Sequence, residues 1–211
     1  MNLNDIRQEY LQAPLKIEDL EGNPYNQFKK WFKNALDAKI EYVNAASLAT
    51  VNAAGIPSNR IVLLKDINES GVHIFTDYRS HKAKDIEGNS NISLNIFWKE
   101  FDRQIRMTGT ATKLSTKENT EYFQSRPLES QISATASIQS STVSKVELEN
   151  KVKKLTEIYK GETKLPCPDT WGGYLIQINE FEFWQGRPSR LHDRFQYKKI
   201  MNDWKIERLS P

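Results

Sequence analysis

The feature that most constrains the fold is a series of short strand-like segments, separated by turn signals, that begins near Ala45. The predicted strands are 46–51, 58–65, 72–76, 92–98, 104–114, 174–183 and 204–206. Short strands joined by tight turns favour antiparallel pairing, because parallel strands need long crossover connections. The sequence therefore predicts an antiparallel barrel and not a parallel sheet with alternating helices.

Local patterns refine this expectation for one strand, one turn and several helices. The centre of the strand 58–65, Ile61 to Leu64, is apolar throughout, which is typical of a strand buried on both faces. The run Trp171-Gly172-Gly173 predicts a break in the chain before the strand 174–183. The predicted helices are 4–11, 25–40, 81–87 after the cap Ser80, 116–125 after a capping box at Ser115, a piece from Pro127, and 145–159.

The length, net charge and cysteine count limit which classes of protein this chain can belong to. A chain of 211 residues fits one domain over 1–211, with a helical segment at 1–40 and a barrel with inserted helices at 45–211. The net charge of +3 is too small to argue for a nucleic-acid partner. There is no apolar run of roughly 18 residues and no secretory signal, so we expect a cytoplasmic protein without membrane contact. The single cysteine, Cys167, excludes an intramolecular disulfide framework.

Two groups of residues predict anion binding. Arg60 forms the first with Lys82, which follows the helix cap Ser80, and a helix amino end beside a cation is a common phosphate site. The second group is Lys65, Tyr122, Arg126 and Ser130. Each group alone also fits solvated cations or an ordinary helix end. The sequence has no dinucleotide or nucleoside-triphosphate loop, no zinc spacing and no reactive nucleophile. Both groups together therefore favour a phosphorylated organic cofactor that meets a phosphorylated substrate, with no metal.

A basic and aromatic segment, 183–194, predicts contact with a planar ring. If it is extended, Arg190, His192 and Arg194 share one face, because side chains alternate along a strand. Arginine can bind anions with a fixed fork of donors or stack on a ring, and histidine can donate, accept or transfer a proton. A solvated basic turn is the alternative for this segment alone.

Many separate motifs in one order carry a family resemblance. They are 60–65, 103–104, 122–127, 130–132, 139–141, 171–173, 183–186, 190–194 and the ending 204–211. With these motifs the chain resembles the pyridoxine/pyridoxamine 5′-phosphate oxidase family over essentially its whole length. The resemblance implies a mainly β, α+β fold, the FMN-binding split β-barrel with antiparallel Greek-key strands. It also implies a homodimer with FMN at the interface, and pyridoxal 5′-phosphate synthesis with O₂ as the electron acceptor.

The resemblance also assigns residues. Those implied to bind FMN are Arg60, Ile61, Val62, Leu63, Leu64, Lys65, Phe75, Thr76, His81, Lys82, Gln104, Gln139, Ser140, Trp184 and Arg194. Those implied to bind the substrate are Arg7, Tyr10, Lys65, Tyr122, Arg126, Ser130, Arg190 and His192, of which Arg190 and His192 are the implied catalytic pair.

A few positions depart from the family pattern or stay open. His81 stands where the family usually has arginine, and Phe75 where it usually has tyrosine. Arg187 matches no family site and falls in a predicted turn, so we expect it to be solvated. A split-barrel flavoprotein of other specificity, for example a flavin reductase-like protein, is the rival within this fold, and a basic nucleic-acid-binding module is the rival outside it.

Overall fold

A computed structural model describes residues 9, 10 and 12–211 of the chain. Its α-helices are α1 (Pro24–Asp37), α2 (His81–Gly88), α3 (Thr116–Ser125), α4 (Leu128–Ala136) and α5 (Lys145–Ile158). Short 3-10 turns occupy Ile17–Asp19, Lys99–Phe101 and Pro188–Arg190. The predicted helix 4–11 lies almost entirely outside the described residues, and its two described members, Glu9 and Tyr10, are not helical.

The strands pair into one antiparallel sheet. They are β1 (Ala45–Val51), β2 (Pro57–Leu63), β3 (Asp66–Asn68), β4 (Gly71–Asp77), β5 (Asn91–Trp98), β6 (Arg103–Lys113), β7 (Trp171–Gln185), β8 (Asp193–Ile200) and β9 (Asp203–Leu209). The order is β2-β1-β5-β6-β7-β4-β3, with β8 on β7 and β9 on β8. The chain crosses from β4 through α2 to β5, which pairs with β1. The predicted mainly β, antiparallel architecture with peripheral helices is confirmed.

The long strand β7 organises the sheet. One of its edges pairs with β6 along its length, with a bulge opposite Thr108 and Gly109. Its other edge is shared, because β4 pairs with the first part of β7 and β8 with the last part. The predicted break at Trp171-Gly172-Gly173 is wrong, since these are the first residues of β7. A side chain at Gly173 would overlap Phe75, which explains glycine inside a strand better than a turn does.

The apolar stripe of α1 covers one face of the sheet. Phe28, Trp31 and Ala35 are buried, as the helical spacing predicts. Trp31 meets Phe183 of β7 edge to face, with 5.3 Å between the ring centroids. Burying a large apolar side chain contributes about 1.5–3 kcal/mol, so α1 fixes the half of β7 that faces it. Leu36, which the same helical spacing predicts to be on the apolar face, is 51% exposed and lies outside this contact.

Strand β2 is not buried on both faces within the chain. Ile61 is 68% exposed and Leu63 is 40% exposed, whereas Leu64, just after the strand, is buried. The reason is the position of β2 at the edge of the sheet, where β1 is its single strand partner within the described residues. The prediction of double burial is therefore wrong for a single chain, and β2 presents an apolar surface.

The helices between β6 and β7 begin where the sequence predicts. Ser115 and Glu118 form a reciprocal capping box at the start of α3, in which the Ser115 amide donates to the Glu118 carboxylate at 2.9 Å. Ser80 caps α2 and Ser144 caps α5 without a reciprocal contact, since each side-chain oxygen accepts from the amide three residues later. These local signals set the direction of α2 and α3, whose ends border the site.

Candidate active site

A cavity of about 680 Å³ lies between β2, β4 and the helices α2, α3 and α4. Its lining is Ile61, Val62, Leu63, Lys65, Phe75, Thr76, Asp77, Lys82, Tyr122, Arg126, Glu129, Ser130, Ser133, Ala134, Ser137, Gln139 and Trp171. Residues of both predicted anion groups, Lys82 from the first and Lys65, Tyr122, Arg126 and Ser130 from the second, thus border one space. Leu64 does not line it, because its side chain points into the core.

Lys82 forms the centre of the first cationic site. Its ammonium donates to Thr76 Oγ1 at 3.1 Å and to Gln139 Oε1 at 2.9 Å. The side chain is almost fully buried, and burial lowers its pKa, an effect that the nearby Arg60 reinforces and Asp77 opposes. A buried ammonium near a second cation and a helix amino end is stabilised by a bound anion.

Arg60 supplies the second charge of this site. Its guanidinium donates to Thr50 Oγ1 at 2.6 Å, and Asp85 lies 3.8 Å away. Burial lowers the pKa of Arg60, and the charge of Asp85 acts in the opposite direction. Thr50 also donates to Asp85 at 2.6 Å, so a small network aims the guanidinium from behind.

His81 and Ser140 meet at the rim of this site. The His81 amide donates to Ser140 Oγ at 3.3 Å, and the imidazole itself is exposed. Ser140 has a φ of +71°, which is uncommon for a residue with a side chain. The structure therefore brings both predicted residues to the amino end of α2, through the backbone of His81 and not through its ring.

Arg126 forms a second cationic site against an aromatic wall. Its guanidinium lies 4.9 Å from the ring centroid of Trp171. Tyr122 and Trp171 flank Phe75, and the rings of Phe75 and Tyr122 are stacked at 3.8 Å. One guanidinium nitrogen, NH1, is buried without a hydrogen-bond partner in the part of the chain that the structure describes. Burial lowers the pKa of Arg126, with opposing effects of Tyr122 and Cys167. An unsatisfied buried donor that borders a cavity fits an anionic ligand.

The basic and aromatic segment 183–194 is not extended throughout, as the predicted alternation of its side chains would require. Pro188–Arg190 is a 3-10 turn in which Ser189 and Arg190 have φ values of +54° and +62°. Strand β8 begins only at Asp193. Arg190 and His192 therefore do not share a strand face with Arg194, because this turn interrupts the alternation.

The neutral ring of His192 is held in one tautomer by a backbone contact. The amide of Arg187 donates to His192 Nδ1 at 3.1 Å, so the proton of the neutral ring is on Nε2. Burial lowers the pKa of His192, and Arg190 and Arg194 lower it further, against Asp193. The imidazole lies 4.6 Å from the ring of Trp184, measured between centroids. His192 can thus act as a hydrogen-bond donor through Nε2.

Tyr10 packs against Trp184 and His192, and these three side chains form a ring cluster. The Tyr10 ring is 5.5 Å from Trp184 and 5.4 Å from His192, edge to face in both cases. Arg7, the other predicted residue of the N-terminal segment, lies outside the described residues.

The expectation of a solvated Arg187 is wrong. Only 25% of its side chain is exposed; its Nε lies 3.5 Å from Asp193, and its NH1 donates to the carbonyl of Gln12. Asp193, itself buried, also accepts from the amide of Leu15 at 3.0 Å and from Arg208 at 2.5 Å. The pair thus ties the N-terminal segment to the His192 turn. The partners are 6 to 178 residues apart, so no local pattern could have indicated them.

Gln104, Trp184 and Arg194 lie side by side on three neighbouring strands. Trp184 pairs with Gln104 on one edge of β7 and with Arg194 on the other. Arg194 donates from Nε to the buried Glu182 at 2.8 Å and from NH1 to the carbonyl of Ser210 at 2.9 Å. These contacts leave NH2 as its free donor nitrogen among the contacts of the described residues.

The predicted site is divided within one chain. Gly173 of β7 pairs with Phe75 at the cavity, whereas Trp184 is eleven residues further along the same strand. At a rise of about 3.3 Å per residue, these positions are about 35 Å apart along the strand. None of Gln104, Trp184, Arg190, His192 and Arg194 lines the cavity in the described chain.

In residues 9–10 and 12–211, no group of three or more histidine, cysteine, aspartate or glutamate side chains could hold a metal ion. Within the same residues, no helix has the length and apolar character needed to cross a membrane.

Comparisons with known proteins assign the family. Residues 32–159 match the family model described as pyridoxamine 5′-phosphate oxidase, and residues 171–211 match the pyridoxine 5′-phosphate oxidase C-terminal dimerisation region. The pyridoxine/pyridoxamine 5′-phosphate oxidases of Hahella chejuensis and Crocosphaera subtropica are 49% and 46% identical, and each alignment covers 100% of both chains.

Two solved structures support the same fold. PhzG from Burkholderia lata, crystallised with tetrahydrophenazine-1-carboxylic acid, has a TM-score of 0.88 at 28% identity and covers 95% of this chain and 99% of its own. A pyridoxamine 5′-phosphate oxidase-related, FMN-binding protein from Nostoc punctiforme has a TM-score of 0.73 at 18% identity, covers 91% of this chain and 100% of its own, and supports the fold alone. The predicted split-barrel fold is confirmed, and the chain belongs to the pyridoxine/pyridoxamine 5′-phosphate oxidase family.

Proposed function

We propose that the chain is an FMN-dependent oxidase that converts pyridoxamine 5′-phosphate and pyridoxine 5′-phosphate to pyridoxal 5′-phosphate. The observation that carries the proposal is the pair of cationic sites, at Lys82 and at Arg126, that border one cavity. Two phosphorylated molecules, one cofactor and one substrate, would satisfy both sites. The names of the curated relatives support the same substrate class.

Residues of the first site would hold FMN. Lys82, Arg60 and the amino end of α2 would bind its phosphate, and Gln139 and Ser140 would contact the phosphate or the chain attached to it. The β2 residues Ile61 to Leu63 would run along the flavin. The pair of the buried Lys82 and the half-buried Arg60 fits this role, because it has no carboxylate within ion-pair distance other than Asp85, 3.8 Å from Arg60, among the described contacts. When bound, FMN would accept a hydride from C4′ of the substrate and pass the electrons to O₂, which gives H₂O₂.

Residues of the second site would bind the substrate phosphate. Arg126 would contribute its unsatisfied NH1 and a planar fork of donors, and Lys65, Tyr122 and Ser130 would complete the clamp. Loss of a hydride from C4′ converts the neutral amine to a protonated imine, which water hydrolyses to the aldehyde and ammonium. Loss of a hydride from C4′ and of the hydroxyl proton converts the alcohol to the aldehyde. The protein's contribution is alignment of C4′ over a short path.

His192 and Arg190 would handle the pyridine ring. His192 carries its proton on Nε2 and would donate it in a hydrogen bond to an oxygen substituent of the ring. Arg190 would lie over the ring face opposite the flavin. Neither residue needs to act as an obligate base, since a hydride leaves from carbon.

We further propose a homodimer in which each site takes residues from both copies. The distance along β7 argues against assembly of the cavity residues and the Trp184 to Arg194 residues around one ligand within one chain. The exposed apolar side chains of Ile61 and Leu63 offer a surface for a second copy. The match of residues 171–211 to a dimerisation region supports this arrangement. A single domain over 1–211 and a cytoplasmic location stay predictions.

A visible spectrum and an activity assay test the proposal. The purified protein should show the absorption of bound flavin, sediment as a dimer, and form pyridoxal 5′-phosphate from pyridoxamine 5′-phosphate under air. A colourless protein that stays inactive after FMN is added would refute it.

A second candidate, a flavoprotein acting on another aromatic substrate, is favoured by the high TM-score to PhzG. A carboxylate could also pair with NH1 of Arg126, so the observation that favours the phosphorylated substrates is the 46–49% identity to relatives named pyridoxine/pyridoxamine 5′-phosphate oxidase, against 28% to PhzG. This candidate would be supported if the protein oxidised unphosphorylated aromatic acids and showed no activity on pyridoxamine 5′-phosphate or pyridoxine 5′-phosphate.

A further inference from the structure

The first cationic site depends on a loop that comes from another part of the chain. Residues 137–144 connect α4 to α5 without helix or strand, and Gln139 and Ser140 reach the site from this loop. Gln139 Oε1 accepts from Thr76 Oγ1 at 2.8 Å and from Lys82 at 2.9 Å. An irregular loop needs fixed points to hold such side chains, because ordering each residue costs conformational entropy.

Asp77 and Arg79 form a tight pair next to this loop. Arg79 Nε lies 3.0 Å from Asp77 Oδ1, and its NH2 lies 2.7 Å from Oδ2, so the guanidinium binds the carboxylate as a fork. The Arg79 amide donates to Oδ1 as well, at 2.7 Å. Only 7% of the Asp77 side chain is exposed, whereas 35% of the Arg79 side chain is exposed.

The same pair holds the loop at two points. Arg79 NH2 donates to the carbonyl of Ser137 at 2.9 Å, and the amide of Gln139 donates to Asp77 Oδ2 at 3.3 Å. These two bonds bracket Ile138 and set the position from which Gln139 and Ser140 extend. The positive φ of Ser140 is a conformation that persists only when its surroundings fix it.

The negative charge of Asp77 would repel a bound anion if Arg79 did not compensate it. Asp77 lines the same cavity as Lys82. Arg79 compensates this negative charge, because its guanidinium binds both carboxylate oxygens. Removal of Arg79 alone would leave a buried, uncompensated carboxylate beside the phosphate site.

We propose that Asp77 and Arg79 are positioning residues for the FMN phosphate, which hold the 137–140 loop at the amino end of α2 and keep the Asp77 charge compensated. Neither residue needs to touch FMN. The inference rests on the proposed function, since it takes FMN as the ligand of the Lys82 site.

FMN affinity of the apoprotein, measured by quenching of flavin fluorescence, tests the inference. Arg79→Gln should raise the Kd for FMN by about tenfold, the size expected when charged hydrogen bonds that order a binding loop are lost. The double variant Asp77→Asn/Arg79→Gln should recover part of this loss, because it removes the uncompensated carboxylate. Lys84→Gln, an equal charge change at an exposed position of α2, is the control and should leave the Kd unchanged.

The outcomes separate the two proposals. If the unaltered protein binds no FMN, the proposed function fails. If it binds FMN and Arg79→Gln binds equally well, only the positioning role is refuted. A double variant that binds FMN more weakly than Arg79→Gln would overturn charge compensation. If Arg79→Gln does not fold, Arg79→Lys, which keeps the charge but not the fork, decides: a Kd equal to that of the unaltered protein would refute the role of the loop contacts.

Discussion

Replacement of Arg126 by alanine tests the substrate site most directly. In the protein without ligand, the NH1 of Arg126 has no hydrogen-bond partner among the described residues, and the guanidinium lies 4.9 Å from the centroid of Trp171. The substitution therefore removes a cation–π contact and some packing of the side-chain stem. We expect the free energy of unfolding to fall by only about 1–2 kcal/mol.

The effect on the substrate should be much larger. A hydrogen bond to a charged group contributes about 1.5–3 kcal/mol, and its loss would raise KM by about 10- to 150-fold. The change in kcat should be smaller, because the phosphate is bound in both the ground state and the transition state. Arg126→Lys keeps the charge but loses the planar fork, so its KM should be intermediate.

The assay is H₂O₂ formation from pyridoxamine 5′-phosphate at saturating FMN, together with the Kd for FMN from flavin fluorescence. Lys117→Ala is a matched control, since Lys117 lies on α3, which ends directly before Arg126. Its side chain is 84% exposed, and its one ion pair among the described residues is a 3.9 Å contact with Glu121. An unchanged KM would refute the assignment of Arg126. Loss of FMN affinity in parallel with substrate affinity would show that the two cationic sites are assigned to the wrong phosphates.

Three further predictions concern acid sensitivity, the ring and the N-terminal segment. Burial raises the pKa of Asp77, but hydrogen bonds from Arg79 and Gln139 outweigh it and hold the pKa below the usual value. The stability that ionised Asp77 contributes to the fold is complete above its unfolded pKa of about 4 and is lost as the pH falls through its folded pKa. The difference in stability between the unaltered protein and Asp77→Asn should therefore shrink in acid, which thermal unfolding at several pH values will test. His192→Gln can keep a donor near Nε2 and should lose less kcat/KM than His192→Leu, which should lose about five- to tenfold; equal losses would refute the donor role. Asp193→Asn should lower the free energy of unfolding in urea by about 1–3 kcal/mol, because Arg187 and Arg208 lose their buried carboxylate, whereas the exposed control Asp203→Asn should not.

Local signals account for the parts of the fold that the sequence predicted well. The caps at Ser80 and Ser115 depend on residues three positions away, so the pattern contains all the information that sets the helix start. The stripe of α1 is equally local. The exposure of β2 is not a local property, because it depends on which strand lies beside β2 in the completed sheet.

The site could be predicted only in part, for the same reason. Motifs indicated the residues that now border the cavity, but the positive φ values of Ser189 and Arg190 have no glycine to signal them. The Asp77–Arg79 pair looks like two ordinary surface charges in the sequence. Its importance comes from the 137–140 loop, which lies about 60 residues away in the chain.

The shared edge of β7 has a consequence for dimers that are formed from two different variant chains. One strand carries both the residues beside the cavity and those of the ring cluster, so in the proposed dimer each chain would complete the other's site. A mixture of Arg126→Ala chains with His192→Leu chains, unfolded and refolded together, should then form heterodimers in which one site has both alterations and the other has neither. About a quarter of all sites should recover the KM of the unaltered protein, although no chain in the mixture is itself unaltered. Subunit complementation of this kind would not occur if each chain built its site alone.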